Sequence, residues 1–247
     1  MNNLDYYKEQ MEVDYFAYFT KSYLAFNCYI KNKYSKLTDD RTRINKIKET
    51  SNLAMKFYEL LKKDIFFFNL IELRNLLNSQ EITNEGKAIT FEIVAVDTYQ
   101  EKEILNGKYK KVFYYIKILQ NGKIVFKCGQ SEQKTCSYDD LSNALNELSC
   151  NDYQKEHILF AIKQEFDNYI KNVSIMLGEL EKQYPQLKEN LNNQIEEVFI
   201  VYKAFIEIIY LLRNALFHSE INPNNNETKM AYEKAYWLLR DFVKQLS

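Results

Sequence analysis

The sequence predicts a mainly α protein, a helical bundle with a small antiparallel β-sheet insertion. Three observations support this prediction. The 247 residues include only five glycines and two prolines, and this scarcity favours long helices over a loop-rich β-sandwich. Residues 198–218 contain neither glycine nor proline and are apolar around most of a helical circumference. Residues 120–122 include the dipeptide Asn-Gly between two β-branched runs, which is a strong hairpin signal.

The first part of the chain predicts three helices. The first covers about residues 4–33, with one apolar stripe: Phe16, Phe19, Tyr23, Phe26 and Ile30. Thr38-Asp39-Asp40 is typical of a helix start, and the helix that follows is predicted to reach about residue 63. The third helix is predicted over about residues 64–78.

The middle of the chain predicts strands over residues 88–96, 111–119 and 123–127, because β-branched and aromatic residues are concentrated there. A sheet of about three strands is stable only when one face is covered, so we expect it to lie against helices. The whole chain, residues 1–247, is therefore predicted to form a single helical domain, with residues 86–130 as a sheet insertion within it.

Helices are predicted again from about residue 138, then over residues 151–184 up to Pro185, over residues 190–218, and over residues 227–246. The arrangement of Asn224 and Glu227 resembles a cap at the start of the last helix. One of the two histidines, His157, stands alone on the second of these helices, where a structural role is more common than catalysis.

Composition narrows the class of protein. Hydrophobic residues make up 46% of the chain, which excludes a mainly disordered protein, and the formal net charge of −1 gives no overall positive field for nucleic acid. Lysine and arginine crowd residues 31–63, which indicates a solvated helix face or, alternatively, a local track for phosphates: Lys31, Lys33, Lys36, Arg41, Arg43, Lys46, Lys48, Lys56, Lys62 and Lys63.

Spacing and motifs exclude several kinds of site. The four cysteines show no CxxC spacing, and no histidine stands at the sequence spacing from them that is typical of a zinc site. We therefore expect reduced thiols, no metal site and a cytoplasmic protein. Phosphate-loop, dinucleotide-binding, zinc-protease and serine-hydrolase motifs are lacking, so no cofactor is expected. The N-terminus has no signal-peptide pattern, and no run of about 18 apolar residues predicts a membrane span.

The candidate site lies at the end of the central helix. Placed at roughly 100° per residue, its side chains leave one narrow polar stripe: Lys203, Glu207, Tyr210, Asn214 and His218. Arg213 falls on the apolar side, where a charge is costly unless it is paired. A structural interpretation is that Arg213 reaches the surface along its aliphatic stem and that His218 stabilises the helix C-terminus. The turn-rich residues 219–226 that follow predict that His218 is accessible to solvent.

These six residues, Arg213-Asn214-Ala215-Leu216-Phe217-His218, resemble the Arg-(polar)-x-x-x-His motif of HEPN domains (higher eukaryote and prokaryote nucleotide-binding). In that family the motif lies near the end of a long core helix, and another helix follows it. The aromatic N-terminal helix, with Tyr15-Phe16-Ala17-Tyr18-Phe19, is also similar to the family's first helix. Arg74-Asn75 begins a similar stretch, but Ser79 stands where the histidine would be, so no role is predicted there.

The resemblance implies a metal-independent endoribonuclease that cleaves RNA by 2′-OH attack and acts as a toxin or an antiviral defence effector. It implies His218 as the acid–base residue, Arg213 as the phosphate ligand, and Asn214 as the residue that orients the imidazole or the phosphate. It also implies a homodimer in which the arginine and histidine of two chains meet. The alternatives are a catalytically inactive HEPN-fold module that binds an antitoxin or defence partner protein, and a helical protein in which the motif is coincidental.

Some toxins of this family carry a tyrosine two positions after the histidine, which their antitoxin modifies. Here that position is Glu220, so this regulation does not carry over.

Overall fold

A computed structural model describes residues 13–79, 81–92, 94, 101–119, 123–138, 140–169, 173–187 and 195–246. The chain is mainly helical, as predicted. Its helices, in chain order, are α1 (Tyr15–Lys33), α2 (Asp40–Lys48), α3 (Ser51–Leu61), α4 (Asp64–Leu77), α5 (Leu141–Asn146), α6 (Asp152–Tyr169), α7 (Val173–Lys182), α8 (Tyr184–Leu187), α9 (Ile195–Phe217) and α10 (Asn226–Val243). Its strands are β1 (Thr83–Asn84), β2 (Lys87–Ala88), β3 (Lys102–Tyr109), β4 (Val112–Ile118), β5 (Ile124–Cys128) and β6 (Lys134–Cys136).

The chain divides into two compact units. Residues 1–94 and 172–247 form the first, which we call the helical unit, and residues 95–171 form the second, which we call the sheet unit. The sheet unit extends further along the chain than the predicted sheet segment, residues 86–130, because it includes α5 and α6.

In the helical unit, α9 is the central helix, in contact with α1, α2, α3, α7, α10 and β1. Its apolar side chains are buried on several sides, as the sequence predicts: Val198, Val201, Tyr202, Ala204, Phe205, Ile206, Ile208, Ile209, Leu212 and Ala215. Helix α10 packs against α1 and α4 and closes the bundle. None of the described helices is both long enough and apolar enough to cross a membrane.

Helices α1 and α10 each begin at a side-chain cap. Helix α1 begins at Tyr15, where the Asp14 carboxylate accepts a hydrogen bond from the Ala17 N–H (3.0 Å), and the predicted start at residue 4 lies outside the described residues. Helix α10 is capped by Asn225, not Asn224, since the Asn225 amide oxygen accepts from the Thr228 N–H (3.0 Å).

The predicted helix over residues 38–63 is divided at Thr50. The Thr50 hydroxyl donates to the Lys46 carbonyl (3.1 Å) and also bonds the Tyr34 hydroxyl (2.7 Å). A threonine side chain that bonds nearby backbone competes with helical hydrogen bonds, and the chain turns there between α2 and α3.

The helix predicted over residues 151–184 is described as α6 and α7, with residues 170–172 outside the described part. Helix α7 ends at Lys182, two residues before the predicted end, and Pro185 lies in the first turn of a separate short helix, α8.

The prediction of a strand over residues 88–96 is wrong for the described residues beyond Ala88. Ile89, Phe91 and Val94 are buried in irregular backbone, and the Phe91 carbonyl accepts from the Ser174 N–H (3.1 Å). A short apolar run cannot by itself distinguish a strand from an irregular buried segment. Residues 93, 95 and 96 of the predicted strand lie outside the described part.

The sheet has four antiparallel strands in the order β3-β4-β5-β6. The predicted hairpin is confirmed by the pairing of Ile118 with Ile124 and by the Leu119 N–H bond to the Lys123 carbonyl (2.8 Å), although its turn, residues 120–122, lies outside the described residues. One sheet face packs on α5 and α6, so the predicted helical cover is present within this unit. The shared core contains Tyr114, Ile116, Ile118, Ile124, Phe126, Cys128, Leu141, Leu145, Leu148, Ile158 and Ile162.

Candidate functional site at the end of the central helix

Helix α9 ends in a tight turn that leaves His218 exposed. Ser219 has a left-handed backbone (φ 58°), the Glu220 N–H bonds the Ala215 carbonyl (2.9 Å) and the Ser219 N–H bonds the Leu216 carbonyl (3.3 Å). This is the Schellman arrangement that stops a helix. His218 is the last residue before the reversal and its side chain reaches solvent, as the sequence predicts.

The loop after the site is attached to the β1–β2 hairpin of the same unit. The Glu220 carboxylate accepts a hydrogen bond from the Glu85 N–H (2.5 Å), at a turn where Glu85 and Gly86 both have positive φ. The Asn225 amide donates to the Glu81 carboxylate. Glu220 therefore positions the loop beside His218.

Arg213 is half-buried between aromatic rings. Its guanidinium carbon lies 5.6 Å from the centre of the Tyr23 ring on α1 and 4.8 Å from the centre of the Phe217 ring. One terminal nitrogen donates to the Asn214 amide oxygen (2.9 Å). Its Nε atom is buried and makes no hydrogen bond with the described residues, and an unsatisfied buried donor is costly.

Arg74 gives an internal comparison. Its guanidinium also donates to the neighbouring amide oxygen, of Asn75 (3.0 Å), but it forms an ion pair with Glu181 as well (3.0 Å). No carboxylate of the described residues lies within ion-pair distance of Arg213. The charge of Arg74 is therefore balanced inside the chain, whereas Arg213 is held by aromatic rings and one amide.

The side chains of Arg213 and His218 do not meet within one chain. Residues five apart on a helix point about 140° away from each other at roughly 100° per residue, and no hydrogen bond joins the His218 imidazole to Arg213 or Asn214 among the described residues. Within the chain Asn214 holds the arginine, not the imidazole.

A buried ion network two turns before Asn214 was not predicted from the sequence. Glu207, on the predicted polar stripe, is only 4% exposed, and its carboxylate bonds Lys48 Nζ (2.9 Å) and an Arg41 terminal nitrogen (2.6 Å), both from α2. Arg41 also lies over the Tyr210 ring, 4.3 Å from its centre. No spacing rule connects residues that are so distant in sequence, so a single sequence does not reveal this network.

The basic segment 31–63 fits neither predicted alternative as a whole. Lys46 and Lys62 are paired with Glu49 and Glu59 on the helix surface, as on a solvated face. Arg41 and Lys48 instead belong to the buried network around Glu207.

Burial and charge act on two groups near the site. Burial raises the pKa of the Tyr23 phenol, and the opposing charge of Arg213 does not cancel this effect, so Tyr23 stays neutral near neutral pH. Burial would also raise the pKa of Glu207, but Lys48 and Arg41 outweigh it and the pKa lies below its ordinary value. Glu207 is therefore ionised near neutral pH.

The residues of the sheet unit that could have been catalytic have packing roles. The His157 ring stacks on Tyr109 (centres 4.6 Å apart) and meets the edge of Tyr114 (5.0 Å). Burial raises the pKa of the Cys128 thiol to about 11, which makes it a poor nucleophile at neutral pH. Among the described residues, no three His, Cys, Asp or Glu side chains are grouped as a metal site would require.

Comparison with protein-family models, with curated proteins and with solved structures gives no match. The candidate site therefore depends on the motif and on the geometry described above.

Proposed function

We propose that this protein is a metal-independent endoribonuclease of the HEPN type. One observation carries the proposal: an exposed histidine ends a buried central helix, five residues after a half-buried arginine that has no carboxylate partner among the described residues. Histidine is the side chain that most readily exchanges protons near neutral pH, and arginine grips phosphate oxygens with two parallel hydrogen bonds.

RNA supplies its own nucleophile in this mechanism. The 2′-oxygen attacks the adjacent phosphorus, the bond to the 5′-oxygen breaks, and a 2′,3′-cyclic phosphate remains. His218 exchanges the proton of the 2′-hydroxyl or of the departing 5′-oxygen. Arg213 stabilises the negative charge that develops on the phosphate oxygens, and Asn214 keeps the guanidinium in place through the bond described above.

The site is proposed to be completed by a second copy of the chain. Arg213 and His218 diverge around one helix, so a two-fold contact between two α9 helices is the simplest way to bring an arginine to a histidine. Phe217 lies between them in sequence and is 53% exposed, which supplies an apolar contact for that surface.

Cleavage of a mixed RNA substrate, with and without EDTA, tests the proposal. We expect cutting that survives EDTA, leaves a 2′,3′-cyclic phosphate, and stops at a position where the 2′-hydroxyl is replaced by hydrogen. His218→Ala should abolish cutting with little loss of stability because His218 is exposed, whereas the control His157→Ala should keep full activity. Cleavage of DNA, or a strict need for Mg²⁺, would contradict the mechanism.

The shared site has its own test. Arg213→Ala and His218→Ala, each inactive alone, should regain partial activity when their subunits are exchanged, because the mixed dimer keeps one arginine and one histidine on different chains. A fully active monomer at high dilution would rule out the shared site. A stable dimer that binds a partner protein and never cuts RNA would favour the inactive binding module instead.

A further inference from the structure

Among the described residues, Arg41 shares its carboxylate partner, Glu207, with the buried Lys48. Lys48 and Glu207 are each 4% exposed, and their 2.9 Å pair neutralises both charges in the interior. Arg41 binds the second oxygen of the same carboxylate, but its own side chain is 45% exposed. One carboxylate cannot neutralise two cations, so the surplus positive charge lies on the exposed group, Arg41.

Arg41 and Arg213 act on the same part of the surface. The Arg41 guanidinium covers the Tyr210 ring and the Arg213 guanidinium covers the Tyr23 ring. Both arginines and Tyr210 lie close enough to the Tyr23 phenol to influence its pKa. Two guanidinium groups thus lie against this pair of tyrosines.

The nearby acid does not cancel this surplus. Asp40 also influences Tyr23, but its carboxylate is paired with Arg43 at 3.0 Å. In the described part of the chain, Arg41 pairs only with the shared Glu207 carboxylate, and Arg213 pairs with no carboxylate.

We propose that Arg41 is a second phosphate-binding residue, which holds a phosphodiester of single-stranded RNA next to the one that Arg213 contacts. A guanidinium already fixed by a buried carboxylate and an aromatic face loses little conformational freedom on binding, and its planar fork matches a phosphate. The assignment to RNA rests on the proposed function, whereas the anion site rests on the geometry of Arg41 alone.

Fluorescence anisotropy with a labelled single-stranded oligoribonucleotide tests the inference, in a His218→Ala background that prevents cutting. Arg41→Gln should weaken binding about 10-fold and reduce the slope of log K against log salt by about 0.7, the value for one phosphate contact on a single strand. Lys46→Gln is the matched control, because it removes the same charge from an exposed position of α2, and it should change affinity little. Unchanged affinity and slope in Arg41→Gln would overturn the inference.

A second variant covers the case in which Arg41→Gln does not fold. Arg41→Lys keeps the charge that pairs with Glu207 but removes the planar fork, so it should bind RNA a few-fold more weakly with an unchanged salt slope. Binding equal to the parent would overturn the role of the fork. If the protein cuts RNA but binds it equally well without Arg41, only this inference is contradicted. If RNA binding depends on Arg41 but the protein never cuts RNA, only the proposed nuclease is contradicted.

Discussion

The cores of the two compact units contain different kinds of side chain. The helical unit buries a salt bridge, between Lys48 and Glu207, among its apolar residues. The described residues of the sheet unit bury no charged side chain, and their core is formed by apolar and tyrosine side chains from β4, β5, α5 and α6. A buried charge is tolerated only when its partner is in place. The stability of the helical unit therefore depends on the geometry of this pair, whereas that of the sheet unit depends on the volume of its core side chains and on strand register.

Glu207→Gln, which removes the buried carboxylate of the helical unit, should have the largest effect on stability. This change removes the buried carboxylate that pairs with both Lys48 and Arg41, so we expect a loss of about 3–5 kcal/mol in the free energy of unfolding. Urea denaturation of the parent and the variant measures it.

The exposed pair of Lys46 and Glu49 provides the control. Glu49→Gln removes the same kind of charge on the surface and should cost at most about 1 kcal/mol. A loss in Glu207→Gln no larger than in Glu49→Gln would mean that the buried network does not stabilise the helical unit.

Phe126→Ala is the corresponding test of the sheet unit. Phe126 on β5 is fully buried, so we expect a loss of about 3–5 kcal/mol from lost burial and the cavity that remains. Phe160→Ala on α6 of the same unit, where the ring is 63% exposed, should change stability by no more than about 0.5 kcal/mol. Equal losses in the two variants would contradict the described core.

Acidic pH should change the stability of the two cores differently, by a smaller amount than these substitutions do. The pKa of Glu207 is lower in the folded chain than its ordinary value of 4.5, so its stabilising contribution is present above about pH 4.5 and is lost as the pH falls through the folded pKa. The difference in melting temperature between the parent and Glu207→Gln should therefore narrow between about pH 7 and pH 3. The difference for Phe126→Ala should not narrow in this way, because no titrating group is removed. A constant gap for Glu207→Gln would show that its carboxylate does not titrate with a lowered pKa.

The sequence predicts the helices well where apolar periodicity is long, as in α4 and α9. It predicts the sheet less well, for physical reasons. Strand β3 was not predicted because its polar and apolar residues do not alternate. It is joined to β4 through Lys110 and Lys111, which both have positive φ and are not residues that signal such a turn. The apolar run after Ala88 was predicted as a strand because it is rich in β-branched residues, although the backbone of its described residues is irregular.

The candidate site was predicted in part. The exposure of His218 followed from the turn-rich loop after it, and the placement of Arg213 on the apolar side agrees with its half-buried contact with Tyr23 and Phe217. The bond between Arg213 and Asn214 was not predicted, because neighbours on a helix do not normally face each other. The roles of Arg213, Asn214 and His218 remain predictions.

The smallest expected effect concerns Ser219, which ends α9 beside His218. A left-handed backbone costs a residue with a Cβ atom about 1–2 kcal/mol, and glycine avoids this cost but loses more entropy on folding. Ser219→Gly should therefore stabilise the helical unit by about 0.5–1 kcal/mol, seen as a higher melting temperature.

Ser22, inside α1, is the control with the opposite sign, since glycine in a helix interior should cost roughly 0.5 kcal/mol relative to serine. If the proposed nuclease is correct, Ser219→Gly should also keep its RNA-cleaving activity, because the change keeps the backbone turn that exposes His218. A destabilised Ser219→Gly would contradict the left-handed turn, whereas a stabilised variant that no longer cuts RNA would indicate that the serine hydroxyl itself contributes to the site.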